Sequence, residues 1–163
     1  MKKVKFFRFL TLFLCCCLTF AELYAQEDVI KQRSFLNDSF KPQIDSLKKL
    51  YTSQGFTLMR EASMAMESEY EMPVIMPLTQ GANYQFVFIG EPDSKLYEVR
   101  MFDFNEKQVI YKKNLWGDVD GNIITFNYTS QFSEYHMLKP VQVNKNKKKK
   151  TLSGYVMMFR RTS

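Results

Sequence analysis

Tyr84-Gln85-Phe86-Val87-Phe88-Ile89-Gly90-Glu91-Pro92-Asp93-Ser94-Lys95-Leu96-Tyr97-Glu98-Val99-Arg100-Met101-Phe102 decides the fold. Two short runs rich in Val, Ile, Phe and Tyr are separated by Gly-Glu-Pro-Asp, residues that favour a turn and break regular structure. Working outward, similar runs recur at 72–78, 108–113, 123–128, 134–143 and 152–160. One more follows Gly55, in which Leu58, Ala62, Met64 and Met66 share a face and Glu61, Ser63 and Glu67 take the other, the period of a half-buried strand. Gln80-Gly81, Asn105-Glu106 and Asp120-Gly121-Asn122 punctuate the series. No helix-length pattern lies between these eight runs, so parallel crossovers are excluded and the strands should be antiparallel, in a sandwich or barrel. Pro73 and Pro77 flank the second run and Pro140 interrupts the seventh, which predicts edge or bulge positions for those strands.

Before the strands, Val29, Leu36, Phe40, Ile44, Leu47 and Tyr51 recur mostly at three- and four-residue steps, predicting an amphipathic helix over 27–53. Pro42 lies where a helix restarted at Ser39 tolerates it in the first turn, so a break at Asp38 and Ser39 is expected, and Gly55 supplies a stop. The expected organisation is an export signal at 1–25, a helical segment at 26–54 and a β-sandwich domain at 55–163. The helix is read as cover for a sheet, with a swapped or partner-binding arm as the alternative.

The first 25 residues carry the parts of a secretory signal: a cationic start, an apolar stretch at 9–20, and a more polar exit ending in Ala25. Twelve apolar residues make a helix of roughly 18 Å, short of the roughly 30 Å hydrocarbon core, so a membrane anchor is disfavoured. Lipidation at Cys15 is disfavoured too, because Leu14 is too large for the residue before a lipidated cysteine. Removing the signal shortens the 163-residue chain to 138 residues, enough for one domain with a real core. All three cysteines, Cys15, Cys16 and Cys17, leave with it, which removes disulfides, thiolate metal sites and a cysteine nucleophile. Four basic residues and one acid leave as well, so the formal charge falls from +6 to +3, and Lys145 with Lys147, Lys148, Lys149 and Lys150 more than accounts for what remains. The folded body is slightly acidic, and the positive charge belongs to one loop.

The order Tyr84 to Phe88, then Leu96 to Asp103, then Ile123 to Tyr128, then Ser133-Glu134-Tyr135 leading into a final strand resembles secreted modules of the pre-peptidase C-terminal type, over roughly 72–160. The resemblance implies a small jelly-roll-like antiparallel β-sandwich with a noncatalytic accessory role. Such modules are appended to secreted enzymes, and some hold calcium. The fold class expected is therefore mainly β, an antiparallel eight-stranded jelly-roll-like sandwich preceded by an N-terminal amphipathic helix.

Candidate chemistry is sparse. His136 is the only histidine and sits in a strand between Tyr135 and Met137, where a surface or half-buried strand position is expected and a catalytic triad or a His-rich metal site is not. Asp118, Asp120 and Asn122 alternate as calcium ligands do, but Gly121 falls two residues too early for an EF-hand loop, and a hairpin turn accounts for the string. Met64, Met66, Met72 and Met76 could hold Cu(I), yet methionines on an apolar strand face are read as core. Only six glycines occur and none cluster, so no phosphate loop is present.

The binding candidates are Trp116 and the lysines Lys145, Lys147, Lys148, Lys149 and Lys150. Trp116, the only tryptophan, lies next to Gly117, with Tyr111 or Tyr128 as possible neighbours; it either stacks on a sugar ring or caps the open end of the sandwich. The lysine run gives salt-sensitive attraction to anions, or simply a solvated hairpin tip that discourages edge pairing. The expected function is a noncatalytic exported binding or accessory module at the bacterial cell envelope, periplasmic or secreted, without cofactor, catalytic residue, metal site, nucleic-acid partner or membrane span. Its partner would be an envelope glycan, lipopolysaccharide or an exported protein. A carboxylate-dependent enzyme acting on polysaccharide is the alternative, since the spacing of its acids would be set by the fold.

Overall fold

A computed structural model describes residues 30–33, 38–146 and 151–162. The expected export signal with its three cysteines, positions 27–29 and 34–37 of the expected helix, and Lys147, Lys148, Lys149 and Lys150 lie outside the described residues. Among the described residues there are nine strands: β1 (Ile30–Arg33), β2 (Phe56–Glu67), β3 (Val74–Leu78), β4 (Asn83–Gly90), β5 (Ser94–Phe102), β6 (Gln108–Leu115), β7 (Ile123–Thr129), β8 (Glu134–Asn144) and β9 (Thr151–Arg161). One α-helix, α1 (Lys41–Ser53), precedes β2.

The eight strands from β2 onward are all antiparallel, and their pairing follows one rule. β2 pairs with β9, β3 with β8, β4 with β7 and β5 with β6, as if the chain were one long hairpin. That hairpin is rolled so that β9 also meets β4 and β8 also meets β5. The result is two sheets, ordered β1-β2-β9-β4-β7 and β3-β8-β5-β6. This is a jelly roll, two Greek keys wrapped face to face.

The main core fills the space between the sheets, where Phe86, Phe88, Tyr97, Val99, Met101, Leu138 and Leu152 are almost fully buried. A second core lies on the opposite face of the five-stranded sheet, where Phe40, Ile44 and Tyr51 of the helical region cover Val87, Ile89, Met157 and Phe159. This double burial explains why β4 and β9 are apolar without alternation: both of their faces are inside. Among the described residues, the four-stranded sheet has no such cover. Its outer face is open.

Several local expectations change in the structure. Residues Ile30–Arg33, expected in the helix, form a short strand parallel to β2, and the helix begins only at Lys41. Phe40, rather than Ser39, occupies the N-cap, with no side-chain capping bond, and Pro42 sits in the first turn, where its missing N–H costs no helical bond. Leu58 faces the helix and not the main core, because the register with β9 slips between Leu58 and Arg60 and turns the strand over. Glu61 is buried, not solvated. It lies beneath α1, where Lys48 and the Tyr155 hydroxyl hold its carboxylate. Pro140 lies in an interior strand, yet where β3 has already ended: its carbonyl accepts the Met72 N–H, and the N–H it lacks would face the same open side. Met64, Met66 and Met76 are core residues.

One end of the sandwich is fixed by a buried polar knot. Gln142, fully buried, accepts from the Glu91 N–H at 2.7 Å and donates to the Ser153 carbonyl at 2.9 Å, tying the two sheets together. The Tyr97 hydroxyl donates to the Glu91 carbonyl at 2.7 Å. Burial pushes its pKa up to about 12. An unfolded tyrosine ionises near pH 10, so above that pH the unfolded chain releases a proton that the folded one keeps, and stability is lost as the pH rises toward 12. Denaturant unfolding at pH 9 and pH 11.5 should therefore show a fall that Tyr97→Phe reduces, by roughly 2 kcal/mol. An equal fall in both proteins would contradict this role for Tyr97.

Candidate functional site

The open face of the four-stranded sheet and the corner beside it carry the exposed groups that the fold does not need. On the face, register sets Arg100 between Lys139 of β8 and Tyr111 of β6, and Glu98 between Val141 and Lys113. Arg100 reaches Glu71 at 3.0 Å and Glu98 at 2.7 Å. Glu71 also takes Lys139 at 3.1 Å, and Glu98 accepts the Tyr111 hydroxyl at 3.1 Å. Apolar side chains flank this ladder. Ile75 and Tyr135 are exposed on one side and Leu115 on the other, while Val141 is buried on the face itself without joining either core.

The corner is built by two loops that leave the sheet at the same end. Trp116 follows β6, and its N–H donates to the Lys95 carbonyl at 3.0 Å, which draws the loop against the start of β5. Gly117 adopts φ +93°, a conformation that side chains resist, and Asp118 Oδ2 accepts the Leu115 N–H at 2.6 Å. These bonds hold the indole outward, and it is 60% exposed. Lys145 follows β8 and places its ammonium 3.8 Å from the centre of the indole ring. Among the described residues, Lys145 makes no ion pair and the Trp116 indole N–H makes no hydrogen bond. The corner therefore presents an aromatic plane and a set of donors with no side-chain acceptor in use.

Two expected candidates, Trp116 and Lys145, are thus brought together, and both proposed neighbours of Trp116 have other work. Tyr111 belongs to the Glu98 ladder, and the Tyr128 hydroxyl lies 3.1 Å from His136 Nε2 inside the sandwich. His136 is only 1% exposed, deeper than the surface or half-buried position expected, because it lies on the inward-facing side of β8. The Asp118 to Asn122 string forms turns: Asp118 and Asp120 carbonyls accept from Gly121 and Ile123, and the Asn122 side chain ties the Gly90 carbonyl to Gln43. Among the described residues no group of three or more His, Cys, Asp or Glu side chains is placed to hold a metal ion. The ladder of Glu71, Glu98, Arg100 and Lys139 was not apparent from sequence. Arg100 and Glu98 do alternate with core residues, but only the register shows which strands stand beside them.

Fold and site together define a jelly-roll β-sandwich with one face covered by a helix, one face open, and an exposed aromatic–lysine corner. No protein-family model matches the sequence, and no curated protein matches it. Solved structures similar to it include PliG of Aeromonas hydrophila, a periplasmic inhibitor of g-type lysozyme, at 11% identity and a TM-score of 0.40 over 62% of this chain and 86% of that one. A second comes from Bacillus endospore appendages, described as disulfide-linked pili, at 8% identity and a TM-score of 0.40 over 66% of this chain and 89% of that one. Among the described residues no helix is long and apolar enough to cross a membrane.

Proposed function

We propose that the chain is a noncatalytic, exported binding module of the bacterial cell envelope, acting in the periplasm or outside the cell. Its contact point is the Trp116–Lys145 pair, and its ligand is an anionic saccharide: phosphate-bearing lipopolysaccharide or an acidic polysaccharide. The observation that carries this reading is the Lys145 ammonium 3.8 Å over an indole that is itself 60% exposed. A sugar ring offers an apolar face to stack on the free side of the indole, and its phosphate, sulfate or carboxylate supplies the acceptors that the corner lacks. Lys147, Lys148, Lys149 and Lys150 follow closely in sequence and carry further positive charge. The likeness to pre-peptidase C-terminal modules agrees with an accessory role, and the signal at 1–25 with export.

The carboxylate-dependent enzyme is less well supported. A general acid or nucleophile must reach the glycosidic oxygen or the anomeric carbon. Glu71 and Glu98, on the open face, are already engaged by Arg100, Lys139 and Tyr111, and the buried Glu61 is engaged by Lys48 and Tyr155.

Chromatography on immobilised dextran sulfate and on uncharged dextran separates the two contributions, since the sugar is the same and only the sulfates differ. The protein should be retained by the sulfated matrix and released by salt, with little retention on the neutral one. Equal retention on both, or sulfate retention unchanged in Lys145→Gln, would contradict an anionic ligand at this corner.

A further inference from the structure

Beyond the saccharide corner, the open face of the four-stranded sheet holds more apolar surface than the fold uses, and its side chains stand in rows. At the end nearer the corner, Leu115, Leu96 and Val143 are side by side on β6, β5 and β8. The next row is Lys113, Glu98 and Val141, and the one after it Tyr111, Arg100 and Lys139. Phe102, Met137 and Ile75 make a fourth row on β5, β8 and β3. Leu96, Phe102, Met137 and Val143 are half-buried and belong to neither core, while Ile75 and Leu115 are 53% and 49% exposed. Two apolar rows thus enclose two charged ones. In the charged rows Arg100, Lys113 and Lys139 face Glu98 and the adjoining Glu71, which leaves the strip close to neutral.

We propose that this face binds a second copy of the chain, sheet on sheet, about a two-fold axis that lies between the copies and crosses the strands midway between the Glu98 and Arg100 rows. That axis keeps β5 over β5 and reverses the rows, so Glu98 of each copy meets Arg100 of the other, and each apolar row meets the opposite apolar row. Each Arg100 already holds its own Glu98 at 2.7 Å, so the meeting joins two pairs into one network and buries no unpaired charge. A two-fold axis parallel to the strands would instead exchange β5 with β8 and set Arg100 against Lys139, like charge on like. The face measures about 19 Å across its four strands and about 30 Å along β5, which gives about 1,100 Å² for the two copies together, enough for a weak, concentration-dependent dimer. In the exported chain, residues 26–29 and 34–37 adjoin β1 and Asp38, at the far edge and on the helix-covered side of the other sheet. Four residues extend at most about 14 Å, whereas β5 lies in the second sheet, about 10 Å away and two strands in from its edge. Residues 147–150 are lysines, which bring charge rather than apolar surface to the two apolar rows.

The test is sedimentation equilibrium of the exported chain, Gln26 to Ser163, over about 1 to 500 µM, where the average mass should climb toward that of a dimer. Arg100→Glu and Glu98→Arg should each weaken association at least about 100-fold, because the two-fold axis repeats the like-charge contact. An equal mixture of those two variants should dimerise again, since each then meets its opposite. Ile75→Glu with Leu115→Glu, both at exposed positions, should abolish the dimer and leave the far-ultraviolet circular dichroism unchanged. That pair of changes decides the matter if a substitution in the ladder disturbs folding. A chain still monomeric at about 500 µM, association that survives the Ile75 and Leu115 changes, or folded ladder variants that fail to dimerise when mixed overturns the proposal. A monomer whose retention on dextran sulfate depends on Arg100 would assign the face to an anionic saccharide and overturn it as well.

Discussion

Gly90→Ala is expected to lower the unfolding free energy by about 3 kcal/mol, the upper part of the range for overpacking a rigid site. Gly90 ends β4, and a β-carbon there would lie 2.5 and 2.7 Å from two ring carbons of Tyr97 and 2.9 Å from the Gln142 side-chain oxygen. Neither neighbour is free to retreat. The Tyr97 hydroxyl is anchored within reach of the Glu91, Pro92 and Ser94 carbonyls, and Gln142 joins the two sheets. Gly154, opposite Gly90 in the register, provides the comparison. A β-carbon there would meet Met66 Sδ at 2.7 Å and Met64 Cγ at 3.1 Å, both on flexible side chains, and only then a ring carbon of Phe88 at 3.2 Å, a contact that a shift of a few tenths of an ångström relieves. Gly154→Ala should cost only about 1 kcal/mol. Urea unfolding of the two variants measures the difference. Equal losses, or the larger loss at Gly154, would mean that the Tyr97 and Gln142 knot is softer than its bonding implies.

The second large effect is at the saccharide corner. Trp116→Ala is expected to weaken binding of a sulfated oligosaccharide at least about tenfold, because it removes the stacking surface and also the support that holds Lys145. Lys145→Ala should cost a similar factor by removing charge. If the two act as one site, the double variant loses less than the product of the single losses, with a coupling of about 1 kcal/mol. Isothermal titration of the four proteins gives that coupling. Strictly multiplicative losses would show that the indole and the ammonium bind the ligand independently. Neither substitution should alter folding, since the indole is exposed and belongs to neither core.

How far the sequence led depends on the range of the interactions concerned. The eight antiparallel strands were legible because each is written locally, in apolar residues bounded by Gly, Pro, Asn or Asp. The unbroken apolar runs in β4 and β9 even foreshadow burial on both faces. The roll was not legible: pairing Phe56 with Arg161, or Glu98 with both Val141 and Lys113, depends on contacts between distant segments. The same limit hid the bulge that turns Leu58 toward the helix, the burial of Glu61 under Lys48, and the inward direction of His136. Ile30–Arg33 is too short for two-residue alternation to outweigh a helical period that continues into α1. At the site, Trp116 and Lys145 each stood out by residue type. Their meeting depends on β6 and β8 ending at the same end of one sheet, which no local pattern records.

Because Trp116 is the only tryptophan in the chain, its fluorescence reports on this corner alone. Titration of the protein with dextran sulfate, followed by the same titration with uncharged dextran, tests the central claim most directly. A saturable change in Trp116 emission with the sulfated polymer, absent with the neutral one and lost in Lys145→Gln, is the result expected of an anionic-saccharide site. Emission that stays constant with both polymers, or changes equally with both, would contradict it.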